Sequence, residues 1–356
     1  MNPDDEQPKE NPKWWIFGGD GTAEQRLQRL PDAPPWRSFD EQTRAERGKR
    51  FIPRPEEIDL VNAALYLRRP LLITGKPGVG KTSLTYAVAE DLGLGEVLRW
   101  SITTGTTLRE GLYHYDAIAR LQDTSLRQAE THRGEAEATS SRDALPIGRY
   151  LRLGPLGTAF ATSRNKRPRV LLVDEIDKSD IDLPNNLLHI FEEGEFTIPE
   201  LERLPDYEVP ILPSDAPENA SLEQQGIPVR RGKVRCEAFP LVVMTSNAER
   251  EFPPAFMRRC LKLDMAPPDE KALKDIVKAH LFGPQSPDRE RLDGDLKTPI
   301  DKLIGDFLQR RDDRAQELAA DQLLNAVYMV LRDADPSLRY GNREALREAL
   351  WHPLSD

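Results

Sequence analysis

One segment, residues 75–82, combines glycines, a lysine and a hydroxyl residue at a spacing that suits the binding of phosphate. Its sequence GKPGVGKT follows a short apolar run and precedes apolar residues at helical spacing. Glycines allow a tight turn that directs N–H groups at phosphate oxygens, and a helix start attracts negative charge. The pattern GxxxxGK[ST] in this context predicts a phosphate-binding loop. We assign to this loop Gly75, Lys76, Pro77, Gly78, Val79, Gly80, Lys81, Thr82 and Ser83.

A second apolar run, Val170–Val173, ends in two adjacent carboxylates, Asp174 and Glu175. In the predicted site Lys81 contacts the β- and γ-phosphates, while Thr82 and Asp174 hold Mg²⁺. A carboxylate directly after the metal ligand can polarise an attacking water. The pair therefore favours hydrolysis of a nucleoside triphosphate over transfer to a substrate hydroxyl.

Four further polar residues suit the same chemistry. Asn247 follows another apolar run and is predicted to orient the attacking water, although a strand-end asparagine is also a common turn former. Two prolines begin a short helix that presents Arg258 and Arg259, and an external guanidinium stabilises a phosphoryl transition state. The sequence leaves open which of these two arginines has that role. Arg343 begins the last predicted helix and is expected to report the nucleotide state to the surrounding helices.

The elements that must position these residues are strands alternating with helices. Apolar runs without polar alternation are typical of a parallel sheet covered on both faces, and three such runs occur at residues 70–74, 170–173 and 241–244. We therefore predict an α/β fold with a P-loop three-layer αβα core and a parallel sheet over residues 51–266. Apolar stripes at helical spacing then predict a C-terminal all-α lid domain over residues 267–356.

The intervals between the motifs are longer than one strand–helix–strand unit needs, which predicts insertions near 103–150 and 195–238. Within the first insertion, the polar stretch 122–144 predicts a mobile loop. Within the second, the segments 195–199 and 227–235 predict strands that flank a long polar loop.

The composition argues against several classes of protein. Of the 356 residues, 38% are hydrophobic and 31% are charged, and no apolar run approaches the roughly 18 residues that cross a bilayer. The first residues lack the apolar core of a signal peptide, and the 2 cysteines do not indicate an oxidising compartment. We therefore expect a cytoplasmic protein without membrane insertion. The net charge of −10 makes nucleic acid an unlikely general partner.

The N-terminal segment, residues 1–50, differs from the rest of the chain. It is rich in proline and charge, yet it contains Trp14, Trp15 and Trp36, three of the 5 tryptophans. Disordered acidic tails contain few aromatic residues, so we predict that this segment packs on something. The simpler interpretation is packing on the chain's own core, and the alternative is docking to a neighbouring subunit or partner.

The order of these motifs resembles that of the AAA+ superfamily and, within it, the MoxR-like branch of the helix-2-insert clade. The resemblance covers roughly residues 51–356 and includes Thr-Ser-Asn before residue 248 and Phe-Pro-Pro-Ala-Phe-Met-Arg-Arg before residue 260. It implies ATP and Mg²⁺ as cofactors, bound by the phosphate loop and the carboxylate pair. It also implies that Asn247 is sensor 1, that Arg258 or Arg259 is the arginine finger, and that Arg343 is sensor 2.

The resemblance also has implications for partners. Members of the superfamily form rings, usually hexamers, in which the finger completes the site of the adjacent subunit. We therefore expect ATP hydrolysis in a ring to remodel a protein client or to switch a partner complex, and partners with von Willebrand factor A-type domains are common in this branch. The Trp-rich N-terminal segment departs from the general MoxR pattern and resembles MoxR-like proteins of bacterial conflict systems.

Two alternatives from other classes remain open at this stage. A nucleotide-gated assembly scaffold would bind ATP with little turnover, but such a scaffold needs neither Glu175 nor a finger arginine. A nucleic-acid motor subunit using ATP or GTP is favoured only by a local basic run, which consists of Arg230, Arg231, Lys233 and Arg235. Salt-sensitive binding to DNA or RNA would be its signature.

Overall fold

The computed structural model describes residues 15–37, 48–132, 146–204, 208–282, 294, 296–313, 318–332 and 349–351. These residues divide into two units. The first, here called the sheet unit, comprises residues 53–75 and the described part of 84–264. The second, here called the helical unit, comprises the described residues up to Ile52, the segment Lys76–Ser83 and the described residues from Met265 onward.

A five-stranded parallel sheet, in the order β11-β1-β10-β5-β2, organises the sheet unit. Every residue of β1, β5 and β10 is buried, as expected for apolar strands covered on both faces. The strands of the chain are β1 (Leu71–Thr74), β2 (Leu98–Ser101), β3 (Tyr113–Tyr115), β4 (Leu151–Leu153), β5 (Val170–Asp174), β6 (Glu195–Thr197), β7 (Glu208–Ile211), β8 (Ile227–Arg230), β9 (Lys233–Arg235), β10 (Leu241–Ser246) and β11 (Leu261–Asp264).

Helices flank this sheet and follow it toward the C-terminus, which confirms the predicted α/β fold with a P-loop core and C-terminal helices. The helices are α1 (Ala23–Leu27), α2 (Pro55–Leu67), α3 (Lys81–Asp91), α4 (Leu108–Leu112), α5 (Ala117–His132), α6 (Pro155–Thr162), α7 (Leu183–Glu193), α8 (Pro199–Glu202), α9 (Leu222–Gln225), α10 (Pro254–Arg259), α11 (Glu270–Leu281), α12 (Lys297–Asp313) and α13 (Ala320–Leu331). Within the described residues, no helix combines the length and apolar character that a membrane crossing requires.

Local sequence explains where several of these helices begin and end. Proline at the first position, where its missing N–H is not needed, begins α2 and α10. Helix α7 ends at Gly194, which adopts the left-handed conformation with φ 64° and donates its N–H to the carbonyl of Ile190.

The stretch predicted as a mobile loop, 122–144, is helical over its first part, because α5 extends to His132. The prediction was therefore wrong for residues 122–132, and residues 133–144 lie outside the described part of the chain. The Asp116 side chain accepts a hydrogen bond from the N–H of Ala119 at 2.8 Å and caps the helix start. Polar residues with high helix propensity were mistaken for loop residues because few of them face a core.

The second insertion forms a four-stranded antiparallel sheet in the order β6-β9-β8-β7. The predicted strands at 195–199 and 227–235 are present as β6 and the hairpin β8–β9. The polar loop predicted between them also contains β7 and α9, because Val209 and Ile211 find buried positions that the local pattern alone does not indicate.

Helices α11, α12 and α13 pack around a core of their own in the helical unit. Their apolar stripes face inward as the helical spacing predicted. Phe307 of α12 lies edge-on to Trp351, with ring centroids 5.9 Å apart. Most of the last predicted helix, from Ala345 to Leu350, lies outside the described residues.

Part of the N-terminal segment packs on the helical unit to which it belongs. The Trp36 indole donates a hydrogen bond to Asn325 Oδ1 at 3.0 Å, and its ring lies edge-on to Tyr328 at 5.9 Å. The Tyr328 hydroxyl donates to the carbonyl of Asp32. Phe17, by contrast, is exposed and does not pack on the described part of the chain, and Trp14 lies outside the described residues.

Candidate active site

The Asp174 side chain lies at the carboxyl end of β5 and is held from two directions. The Thr245 hydroxyl, on the neighbouring strand β10, donates a hydrogen bond to Asp174 Oδ1 at 2.7 Å. The Arg99 guanidinium, on the other neighbouring strand β2, donates to Asp174 Oδ2 at 2.7 Å. Only 7% of Asp174 is exposed, so these partners offset the cost of burying its charge.

Glu175 turns sharply away from β5. Its backbone is in the left-handed region with φ 61°, which a non-glycine residue rarely adopts. Its N–H donates to the Thr245 hydroxyl at 2.9 Å, so one hydroxyl contacts both residues of the carboxylate pair. The carboxylate forms a half-exposed ion pair with Lys178 at 2.8 Å, and this hydrogen bond raises the pKa of the Lys178 ammonium.

Asn247 follows β10 and is positioned through its backbone by a buried carboxylate. The N–H of Asn247 donates to Asp177 Oδ2 at 2.8 Å, and the N–H of Glu249 donates to the same oxygen at 3.3 Å. Asp177 Oδ1 is buried and has no hydrogen-bond partner among the described residues. The Asn247 amide itself donates to Glu249 Oε1 at 3.3 Å.

The phosphate-binding loop begins where β1 ends. Gly78 and Gly80 have φ of 76° and 100°, so the turn uses conformations that glycine adopts without strain. The Lys81 ammonium donates to the carbonyl of Lys76 at 3.0 Å, and α3 begins at Lys81. A loop that leaves a strand, turns on glycines and enters a helix is the geometry that the sequence pattern requires.

Within the helical unit, a cleft of about 280 Å³ opens beside this loop. A Cβ atom added to Gly78 would lie 2.3 Å from the Cβ of Ala319, so the approach of these two segments requires a glycine. The lining of the cleft is Lys76, Pro77, Gly78, Val79, Pro267, Pro268, Phe307, Arg311, Asp312, Leu318 and Ala320.

These residues fit a nucleotide with Mg²⁺. The glycine turn before the start of α3 is suited to phosphate, and the cleft beside it combines apolar and polar groups, as pockets for small organic ligands do. The Asp174 carboxylate of the sheet unit and the Thr82 hydroxyl of the helical unit are each hard oxygen donors of the kind that Mg²⁺ prefers.

The two candidate finger arginines differ in their contacts. The Arg259 guanidinium forms an ion pair with Glu192 of α7. The side chain of Arg258 is exposed, and its Nε donates to the carbonyl of Pro254 in the same helix at 3.4 Å. Arg69 donates to the carbonyls of both residues and so fixes the end of α10. Arg343 lies outside the described residues.

Sequence reasoning missed several residues that hold the candidate catalytic groups. Thr245 and Asp177 stand inside the motifs TSN and DEIDK, but their partners are about seventy residues away in the chain. Arg99 occupies an exposed position on β2, where residues alternate between buried and exposed. A charged residue at such a position ordinarily faces solvent, and nothing in the local sequence indicates its contact with Asp174.

The comparisons with known proteins agree with this geometry. Residues 70–260, more than half of the 356-residue chain, match the family profile of the AAA domain of the dynein-related subfamily. None of the curated proteins compared with the chain matches its sequence significantly. The matched family consists of P-loop ATPases, whose members bind nucleotide, usually with Mg²⁺, and commonly assemble into rings. The chain is therefore an ATPase that belongs to the dynein-related subfamily of AAA domains.

Proposed function

We propose that this protein is a MoxR-like, Mg²⁺-dependent ATPase that works as a ring oligomer and remodels a protein client or switches a partner complex. The observation that carries the proposal is the arrangement of three neighbouring strands. Strand β10 lies between β1 and β5 in a parallel sheet, so all three end at the same edge. The phosphate loop leaves β1, Asn247 follows β10 and the carboxylate pair ends β5.

Each residue has a role that its surroundings support. The N–H groups of the loop from Gly75 to Gly80, together with Lys81, bind phosphate oxygens. Thr82 and Asp174 hold Mg²⁺, which when bound neutralises charge that develops on the phosphates.

Glu175 polarises the attacking water and receives its proton. The carboxylate stays accessible for this role because it is half-exposed, and the turn at φ 61° directs the chain away from the strand. Asn247 orients the same water, and the buried Asp177 fixes the backbone from which the asparagine extends. Arg343 has the sensor 2 role that the family resemblance implies.

The proposed function also includes a ring of subunits and a protein client. A finger arginine in α10 reaches the site of the adjacent subunit, and this role is supported by an exposed guanidinium in the last turn of a helix whose end is held by Arg69. The client is a protein or a complex with a von Willebrand factor A-type partner. A nucleic-acid client is disfavoured, because Arg235 is paired with Glu195 at 3.8 Å and Arg230 lies opposite Glu208 in the sheet.

Phosphate release with ATP and with GTP, measured over a range of protein concentrations, tests the proposal. Turnover per subunit should rise with concentration, because the finger comes from a neighbour. Lys81→Ala should abolish nucleotide binding, whereas Glu175→Gln should bind ATP and hydrolyse it at least about a hundredfold more slowly.

A Glu175→Gln protein that hydrolyses ATP at the wild-type rate would contradict the assignment of the base. Wild-type protein that binds ATP but shows no turnover at any concentration would instead support a nucleotide-gated scaffold. Salt-sensitive binding of DNA or RNA would point to the nucleic-acid motor.

A further inference from the structure

The contact between Arg99 and Asp174 is not needed for the packing of the strand that contains Arg99. In β2, Leu98 and Trp100 are buried, whereas Arg99 lies on the exposed side and 53% of its side chain is accessible. Arg99 is directly opposite Leu172 in the sheet, and its guanidinium reaches along the strand to the carboxylate two residues further on. The Arg99 side chain therefore contacts the Asp174 carboxylate rather than packing in the hydrophobic core.

Asp174 needs a cationic partner when no metal is bound. Its carboxylate is almost fully buried, and an unpaired buried charge is strongly unfavourable. Thr245 supplies a neutral hydroxyl to Oδ1, whereas the guanidinium of Arg99 places a positive charge at Oδ2. The same carboxylate is the ligand that the proposed function assigns to Mg²⁺.

We propose that Arg99 is the counter-ion of Asp174 in the metal-free protein and competes with Mg²⁺ for this carboxylate, so that it sets the Mg²⁺ concentration at which the site fills. This inference rests on the proposed function. A guanidinium within hydrogen-bond distance of Oδ2 repels a divalent cation at the same oxygen and must move when the cation binds. Because Arg99 is half-exposed and long, its charge can move into water at little cost.

The test compares the wild type with Arg99→Gln in binding a fluorescent ADP analogue at increasing Mg²⁺ concentrations. This equilibrium readout does not depend on turnover. Removing the competing charge should lower the Mg²⁺ concentration for half-maximal binding about three- to tenfold. Arg99→Lys, which keeps the charge, should retain a Mg²⁺ requirement close to that of the wild type.

A second readout is the melting temperature of the protein without metal or nucleotide. Arg99→Gln should melt at a lower temperature than the wild type, and Mg²⁺ with ADP should remove most of this difference, because the metal replaces the missing cation.

Arg109→Gln is the matched control. Arg109 is similarly exposed and forms an ion pair of the same length, 2.7 Å, with Glu200, but it has no contact with the carboxylate pair. Its replacement should leave the Mg²⁺ requirement unchanged. Wild-type protein that fails to bind the analogue at any Mg²⁺ concentration would overturn the proposed function and this inference together. Normal binding with an unchanged or raised Mg²⁺ requirement in Arg99→Gln would overturn the role of Arg99 alone.

Discussion

At the scale of single residues, the two candidate finger arginines are adjacent in the sequence but differ in their contacts. Arg258 and Arg259 are adjacent in α10, yet Arg259 pairs with Glu192 within the chain, whereas Arg258 has no acidic partner among the described residues. A finger must be available to a phosphate of another subunit, and a guanidinium already paired with a carboxylate is less available. We therefore propose Arg258, rather than Arg259, as the finger.

Arg258→Ala should lower the turnover number about a thousandfold while leaving nucleotide affinity nearly unchanged, because the finger acts on the transition state. Arg259→Ala is the natural comparison, since it removes only an exposed ion pair and should change the free energy of unfolding by about 1 kcal/mol or less. Steady-state phosphate release and equilibrium binding of ATP distinguish the two. Loss of turnover in Arg259→Ala with normal turnover in Arg258→Ala would reverse the assignment.

At the scale of elements, the most informative contact is that of the N-terminal segment with α13. Trp36 contributes a hydrogen bond to Asn325 and an edge-on ring contact with Tyr328. These interactions favour the simpler of the two interpretations of the tryptophans, packing on the chain itself, for Trp36. The segment thereby covers one face of a helix in the unit that contains the phosphate loop.

Trp36→Ala should lower the free energy of unfolding by about 2 kcal/mol, because a partly buried aromatic side chain and its hydrogen bond are lost together. Trp36→Phe keeps a ring for Tyr328 but loses the N–H donor to Asn325, and should lower it by about 1 kcal/mol. Urea denaturation followed by circular dichroism measures both. Equal stability of Trp36→Ala and the wild type would show that the contact contributes nothing in solution.

At the scale of the whole molecule, the net charge bears on the proposed ring assembly. Each 40.4 kDa chain has a net charge of −10, so identical subunits repel one another at low ionic strength. A ring therefore needs nucleotide contacts between subunits, and salt that screens the repulsion should promote assembly.

Sedimentation velocity of Glu175→Gln with ATP and Mg²⁺ should reveal a species several times heavier than the monomer, because slow hydrolysis keeps nucleotide in place. The fraction assembled should increase between about 0.01 and 0.15 M salt, as the screening length falls from about 30 to about 8 Å. Lys81→Ala, which should not bind nucleotide, is the control and should sediment as the smaller species. A protein that remains monomeric under all these conditions would refute the ring.

The phosphate loop and the carboxylate pair could be predicted because their chemistry is encoded in contiguous residues. A glycine turn needs neighbouring glycines, and a strand that ends in Asp174 and Glu175 is recognisable from the apolar run before it. Helix α5, which includes residues 122–132, could not be predicted from apolar periodicity, because its Ile118, Leu121 and Leu126 side chains are exposed and do not form a core-facing stripe.

The sequence by itself determined the three central strands β1, β5 and β10, the phosphate loop and the residue types available for hydrolysis, because each depends on neighbours within a few positions. Only the tertiary structure decided which charged side chains form ion pairs. The pairs Arg99–Asp174 and Arg259–Glu192 join residues that are 75 and 67 positions apart. Such pairs depend on sheet order and helix packing, since a guanidinium binds whichever carboxylate the fold brings within about 3 Å.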